Sequence, residues 1–270
     1  MERVGRYRLL WRLGAGGMGD VHRARAYGAE GVVKDLCIKR IRSERLTRRS
    51  AVARFVEEAR MWAGLHHANI VSVFDFGRSE DGYYLAMEWV DGVSAAAIVS
   101  DIPLPADVAA HVGAEIARAL EYAHGLAPPL VHRDVKPENV LVSRGGDVKL
   151  TDFGVAALAG SSTGAAGTPG YMAPEQLEGV ADIRSDIWAL GVVLKELASG
   201  DRLGHVEDEE LCVIAEALTA ADPAARPGSA SDVANRLEAY VARARAAGSR
   251  SPREQLAERA LAFALDTQPI

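Results

Sequence analysis

The chain has 270 residues, 49% of them hydrophobic and 25% charged, which is enough to bury a sizeable core without covalent staples. A formal net charge of -6 and a pI near 5.7 argue against a domain-wide basic surface, and so against nucleic acid as a partner. The cysteines Cys37 and Cys212 form no CxxC pair, which speaks against a disulfide framework or a structural zinc site and fits a reducing compartment. The opening MERVGRYRLL carries charges where a signal peptide needs an apolar core, and no apolar run approaches the roughly 18–20 residues of a membrane span. A cytoplasmic protein is expected.

In chain order, strands are predicted over Tyr7 to Leu13, Val21 to Ala26 and Leu36 to Ile41, separated by glycine turns. The arginine-rich stretch Arg40 to Arg49 reads as a solvated helix end and loop. A helix follows from about Ser50 to Leu65, with Val52, Phe55, Val56, Ala59 and Trp62 at three- and four-residue spacing. Two more strands fit Val71 to Gly77 and Tyr83 to Trp89. After Asp91-Gly92 the pattern turns helical. Pro105 to His124 is long and amphipathic, short strands fit Leu130 to His132, Val140 to Ser143 and Val148 to Thr151, and helices and loops fill the chain from Pro174 onward. Ser251-Pro252-Arg253-Glu254 has the form of a capping box with proline at the first helical position, and Leu256, Ala260, Phe263 and Ala264 would share one face of the helix it opens.

Gly14-Ala15-Gly16-Gly17-Met18-Gly19 matches GxGxxG, a run whose glycines let backbone approach a phosphate closely. On this motif alone two nucleotide folds remain open. A dinucleotide fold needs a helix starting inside the motif and an acid about twenty residues on, and Asp35 stands there.

Downstream, His132-Arg133-Asp134-Val135-Lys136-Pro137-Glu138-Asn139 matches HRDxxxxN, and Asp152-Phe153-Gly154 and Ala173-Pro174-Glu175 follow in that order. With this set the chain resembles the protein kinase superfamily, in particular its bacterial serine/threonine members, over about residues 7 to 240. The resemblance implies an α+β, bilobal fold. A strand-rich lobe of about 7–90 would precede a mainly helical lobe of about 91–240, with 241–270 as a C-terminal helical extension or linker. It implies transfer of the γ-phosphate of ATP to Ser/Thr hydroxyls of proteins, this one included, with Mg²⁺ or else Mn²⁺. Self-association would serve autophosphorylation in trans. The competing readings are an ATP-binding pseudokinase scaffold and a small-molecule phosphotransferase.

The same resemblance assigns residues. Asp134 is the expected base, and Lys136 lies near the γ-phosphate, as in serine/threonine rather than tyrosine kinases. Asn139 and Asp152 are the expected magnesium ligands, hard oxygen donors of the kind that ion takes. Lys39, in Cys37-Ile38-Lys39, would hold the α- and β-phosphates and pair with Glu58; the adjacent Glu57 is about 100° away in helical phase. The glycine-rich loop Gly14, Ala15, Gly16, Gly17, Met18 and Gly19 would cover the phosphates. Adenine would lie between Leu13, Val21 and Cys37 on one side and Leu141 on the other, with Met87 behind and the Glu88 and Val90 backbone at its edge. Asp186 matches a buried aspartate that braces the catalytic loop, and Glu175 with Arg226 matches a buried ion pair.

Two departures stand out. The stretch from Leu197 to Asp222 is short and lacks room for a helix with which many relatives dock partners. Ala157 stands where relatives often carry a base that holds an activation-loop phosphate, leaving Arg133 and Arg54. Ser161, Ser162 and Thr163 are the candidate phosphosites, in a Gly/Ala-rich stretch with little to bury.

Overall fold

The structure, a computed structural model, describes residues 2–16, 19–42, 56, 59–79, 82–100, 102–153 and 167–266. The chain divides into two compact units. Among the described residues, one is drawn from those up to His66 and from Val71–Trp89, the other from His67–Ile70 and from Val90 onward.

The first unit is a six-stranded sheet: β1 (Arg3–Val4), β2 (Tyr7–Gly16), β3 (Gly19–Tyr27), β4 (Val33–Arg42), β5 (Val73–Ser79) and β6 (Gly82–Glu88), in the order β1-β2-β3-β4-β6-β5. Every pairing is antiparallel. Alternation along the strands puts Val4, Tyr7, Leu9, Ala24, Leu36, Ile38, Tyr84 and Ala86 into one cluster. Strand β2 runs three residues beyond its predicted end at Leu13, because Gly14, Ala15 and Gly16 keep pairing with β3 down to Gly16↔Gly19. Gly19 has φ +149, and a Cβ there would lie 1.7 Å from the Arg40 carbonyl oxygen, so strand β4 approaches too closely for any side chain. Strand, not helix, follows the glycine motif. Asp35 is held by Arg23 (2.6 Å) and Arg25 (2.6 Å), which removes both marks of a dinucleotide fold. Of the helix predicted from Ser50, the described residues show helical backbone at 56 and 59–63 and a turn at Gly64; Trp62 is buried and donates from Nε1 to the Val71 carbonyl at 3.1 Å.

The second unit is mainly helical: α1 (Ala95–Ile98), α2 (Ala106–His124), α3 (Pro174–Leu177), α4 (Ile183–Ser199), α5 (Glu209–Leu218), α6 (Ala230–Ala246) and α7 (Pro252–Asp266). Helix α2 is buried along most of its length and packs on α4 and α6. Asp182 caps α4 through a capping box with Ser185, and Gly200, at φ 79, ends it in the left-handed conformation. A three-stranded sheet, β7 (Gly92–Ser94), β8 (Val140–Ser143) and β9 (Val148–Leu150), joins them. Residues 200–208, between α4 and α5, contain no helix. Helix α7 begins at Pro252 and buries Leu256 and Ala260 completely. Its Arg253 donates to the Gly145 carbonyl (3.0 Å) and to Asp147 (2.5 Å) on the β8–β9 turn.

The strand predicted over Leu130 to His132 does not form. The Leu130 N–H donates to the Ala123 carbonyl and the His132 N–H to the Asp186 carboxylate (2.7 Å), so these backbone groups are satisfied without a ladder.

Candidate active site

The predicted site residues fall in both units. In the first, Lys39 stands mid-strand in β4, opposite Val21 on β3 and Leu85 on β6, and is 5% exposed. An ammonium this buried is costly to desolvate and survives only in the company of opposite charge or acceptors. Cys37 and Met87 form a cross-strand pair, both buried, while Val21 is half-buried and Leu13 and Gly14 are exposed. A Cβ on Gly14 would meet nothing within 4 Å, so its backbone is open to a ligand. The Glu88 N–H donates to the Ser72 carbonyl at 2.8 Å. Ala15 and Gly16 lie on the last rungs of β2. Gly17, Met18 and Glu58, with Glu57 and Arg54, lie outside the described residues, as do Ala157, Ser161, Ser162 and Thr163.

In the second unit the catalytic-loop match is built around Asp186, 1% exposed in the first turn of α4. Its Oδ2 accepts the His132 N–H (2.7 Å) and His124 Nε2 (2.8 Å), and its Oδ1 accepts the Arg133 N–H (2.8 Å). These bonds hold Arg133 at φ 69, a conformation a side chain of its size rarely adopts. The buried Gln176 adds a bond from Nε2 to the Arg133 carbonyl at 2.7 Å. The His132 ring is fixed as well. Nδ1 accepts the Asp134 N–H (3.2 Å), Nε2 donates to the Thr151 carbonyl (2.9 Å), and the ring lies 4.5 Å from that of the buried Phe153.

On this scaffold Asp134 is surrounded by donors. Thr168 Oγ1 donates to its Oδ1 at 2.6 Å, and Lys136 Nζ lies 3.2 Å from its Oδ2 while donating to Thr168 Oγ1 at 2.6 Å. Asn139, in the 3-10 turn Pro137–Asn139, donates from Nδ2 to the Asp134 carbonyl at 2.8 Å. A carbonyl can only accept, so the amide nitrogen must face it and Oδ1 is turned the other way, as an acceptor. Asp152 reaches the same end of the β8–β9 hairpin: Val140 pairs with Leu150, and the Thr151 N–H donates to the Asn139 carbonyl at 2.9 Å. Asp152 itself has φ 67. Leu141 is half-buried on β8, opposite Ser94, and Val90 is half-buried.

Arg226 and Glu175 form a two-pronged pair, Nη1 to Oε1 at 2.7 Å and Nη2 to Oε2 at 2.9 Å. The arginine side chain is fully buried and also donates to the Ala220 and Arg184 carbonyls. Burial opposes ionisation of Glu175, but the bonds from Arg226, its own backbone and Ser185 outweigh that and hold its pKa below the usual carboxylate value. Sequence reading missed His124 and Gln176. His124 ends a helix with no motif around it, and Gln176 follows Glu175 without any spacing that marks it.

The chain belongs to the protein kinase domain family, whose model matches residues 7–237. Among its relatives, it is 36% identical over 231 residues to the serine/threonine-protein kinase PrkC of Bacillus subtilis, covering 82% of this chain and 34% of that protein. It is 38% identical over 208 residues to the serine/threonine-protein kinase PknB of Mycobacterium leprae, covering 73% of this chain and 33% of that protein. The chain thus spans about a third of the length of these curated relatives. The crystal structure of the Mycobacterium tuberculosis PknI kinase domain is similar at 27% identity and a TM-score of 0.72, covering 88% of this chain and 97% of that one. Among the described residues no helix is long and apolar enough to cross a membrane.

Proposed function

We propose that this chain is an active serine/threonine protein kinase that transfers the γ-phosphoryl group of ATP to protein hydroxyls in the cytoplasm. The observation that carries this reading is that Asp134, Lys136, Thr168 and Asn139 are hydrogen-bonded to one another, and that Asp152 follows Leu150 and Thr151 at the end of the β8–β9 hairpin where Asn139 precedes Val140. Phosphoryl transfer asks a protein mainly for positioning and for neutralising charge on the phosphoryl oxygens. Asp134 accepts the proton of the incoming hydroxyl, and Lys136 supplies positive charge beside it. Oδ1 of Asn139 and the carboxylate of Asp152 are the hard oxygen donors that suit Mg²⁺, with Mn²⁺ as an alternative ion. Bound metal would neutralise the phosphates and orient the γ-phosphoryl group. Lys39 is the group that would hold the α- and β-phosphates, with Glu58 as its expected counter-charge. The glycine-rich hairpin, with Leu13, Val21, Cys37, Met87, Glu88, Val90 and Leu141, binds the rest of the nucleotide. Lys136 favours Ser and Thr over Tyr, in line with the names of the relatives.

The test compares Asp134→Asn with Asp152→Asn in phosphotransfer to a generic basic protein and to the chain itself, with Mg-ATP binding followed by calorimetry. Asp134→Asn should lose about 10²–10⁴-fold in transfer and keep nucleotide affinity, because base catalysis is worth that much and the base does not touch the nucleotide. Asp152→Asn should lose Mg-ATP affinity as well. Equal affinities in the two variants would count against the metal assignment, and a wild-type chain that binds ATP without transferring it would establish the pseudokinase reading. Mapping phosphates after incubation with ATP tests self-modification at Ser162 or Thr163.

A further inference from the structure

The segment that follows Thr168 borders the transfer site, since Thr168 touches both Asp134 and Lys136. Pro169 and Gly170 are exposed, and Tyr171 turns inward, its hydroxyl donating to Glu196 on α4 at 2.5 Å. Besides Glu196, the described residues place a cation from outside this segment on it. Arg202, from the short stretch between α4 and α5, places its guanidinium 5.3 Å from the centroid of the Tyr171 ring. Its Nη1 lies 2.4 Å from where a Cβ on Gly170 would be, so the cation rests directly on the glycine backbone.

The turn that carries Arg202 is tied down. The Leu203 N–H donates to Asp201 Oδ1 (2.9 Å), the Gly204 N–H to the Asp201 carbonyl (2.9 Å), and the Ser199 hydroxyl bonds the Lys195 carbonyl (2.8 Å). Among the described residues Arg202 makes no ion pair, although it is exposed and could reach solvent. The carboxylates that act on Tyr171 are Glu196, engaged by its hydroxyl, and Glu138, exposed on the catalytic turn. Among the described residues Arg202 is thus a cation without an ion pair, held over Gly170 and Tyr171 beside Thr168. A flat guanidinium stacked on a ring keeps its outward N–H groups for a carboxylate.

We infer that Arg202 is a specificity residue: it selects protein substrates that carry an acidic side chain a few residues from the Ser or Thr that is phosphorylated. This rests on the reading that Asp134 receives the acceptor hydroxyl. It deepens that reading by giving the substrate a chemical class. It also assigns a use to the shortened stretch before α5, whose turn brings a cation onto the segment that follows Thr168.

The experiment uses the chain as it is, with Mg-ATP and serine peptides in an alanine-glycine background. Glu, Gln or Lys is placed in turn at each of three positions on either side of the serine. For wild type, one position should favour Glu over Lys by about 5- to 10-fold in kcat/KM, mostly through KM, the size expected of a partly solvated ion pair to arginine. Arg202→Gln should flatten that ratio and Arg202→Glu should reverse it. Because the ratio of two peptides is taken within one enzyme preparation, it does not depend on how much of a variant is folded. If Arg202 only braced the segment, both variants would lose activity on all peptides alike and the ratios would stay put, which overturns the inference and leaves the kinase reading intact. If wild type phosphorylates neither any peptide nor itself, the kinase reading fails and the inference falls with it.

Discussion

Asp186 is the residue on which the catalytic-loop geometry depends most. Asp186→Asn keeps the shape of the side chain and removes one acceptor and the charge. The carboxylate is 1% exposed and receives the His132 and Arg133 N–H groups and His124 Nε2. In the amide, the oxygen can keep the two bonds now made to Oδ2, but they fall from charge-assisted to neutral, at about 1 kcal/mol each. The NH₂ group must then face the Arg133 N–H, donor against donor, which strands that group at about 1–3 kcal/mol. The sum is about 3–5 kcal/mol, a large part of the roughly 5–15 kcal/mol a folded domain possesses. Arg133, released from φ 69, relaxes toward the ordinary region and carries Asp134 with it. A displacement of about 1 Å at a reacting group costs about 100-fold in rate. The assay pairs urea unfolding with turnover at saturating Mg-ATP. The midpoint should fall and kcat should drop about 100-fold while the KM for ATP changes little. A variant with wild-type midpoint and turnover would show that the loop is held by something other than this carboxylate.

Other perturbations test other parts of the frame. Arg226→Ala should destabilise by about 3–5 kcal/mol in denaturant titration, because it strands the Glu175 charge, and Arg226→Lys should cost less by keeping the charge without the fork. Since Glu175 has a folded pKa below its unfolded value, its contribution is fully present above the ordinary carboxylate pKa of 4.5 and is lost as pH falls through the folded value. Stability measured against pH should therefore decline on that acid limb in wild type and less steeply in Glu175→Gln. Ending the chain at Gly248 removes α7 and uncovers the surface that buries Leu256 and Ala260. Burial of a leucine alone is worth about 2–3 kcal/mol, so thermal melting should fall by about 5–10 °C. An unchanged Tm would show that α7 is not part of the folded unit.

Much of the site was legible in the sequence because phosphoryl chemistry demands particular side chains at short, fixed separations. Asp134, Lys136 and Asn139 lie within one loop, and Asp152 follows a hairpin whose two strands were readable from their apolar alternation. The N-terminal sheet was legible for the same reason: strands with one buried face announce themselves at period two. The glycine motif by itself permits a hairpin or a helix start alike, and only pairing down to Gly16↔Gly19 decides for the hairpin.

What the tertiary structure alone decided are the contacts between residues far apart in the chain. Leu130 to His132 has the composition of a strand, yet a buried carboxylate 54 positions away from His132 claims the N–H that a ladder would need. His124 and Gln176 become structural because the fold aims them at Asp186 and at the Arg133 carbonyl. Arg202 comes to rest on Gly170 and Tyr171 only because the turn after α4 is short and tightly bonded. Local propensity sets which backbone conformations are cheap, and motif spacing sets which chemistry is present. The partner of each buried donor and acceptor is chosen when distant segments are packed together, since each must then be satisfied at once by whatever lies within about 3 Å.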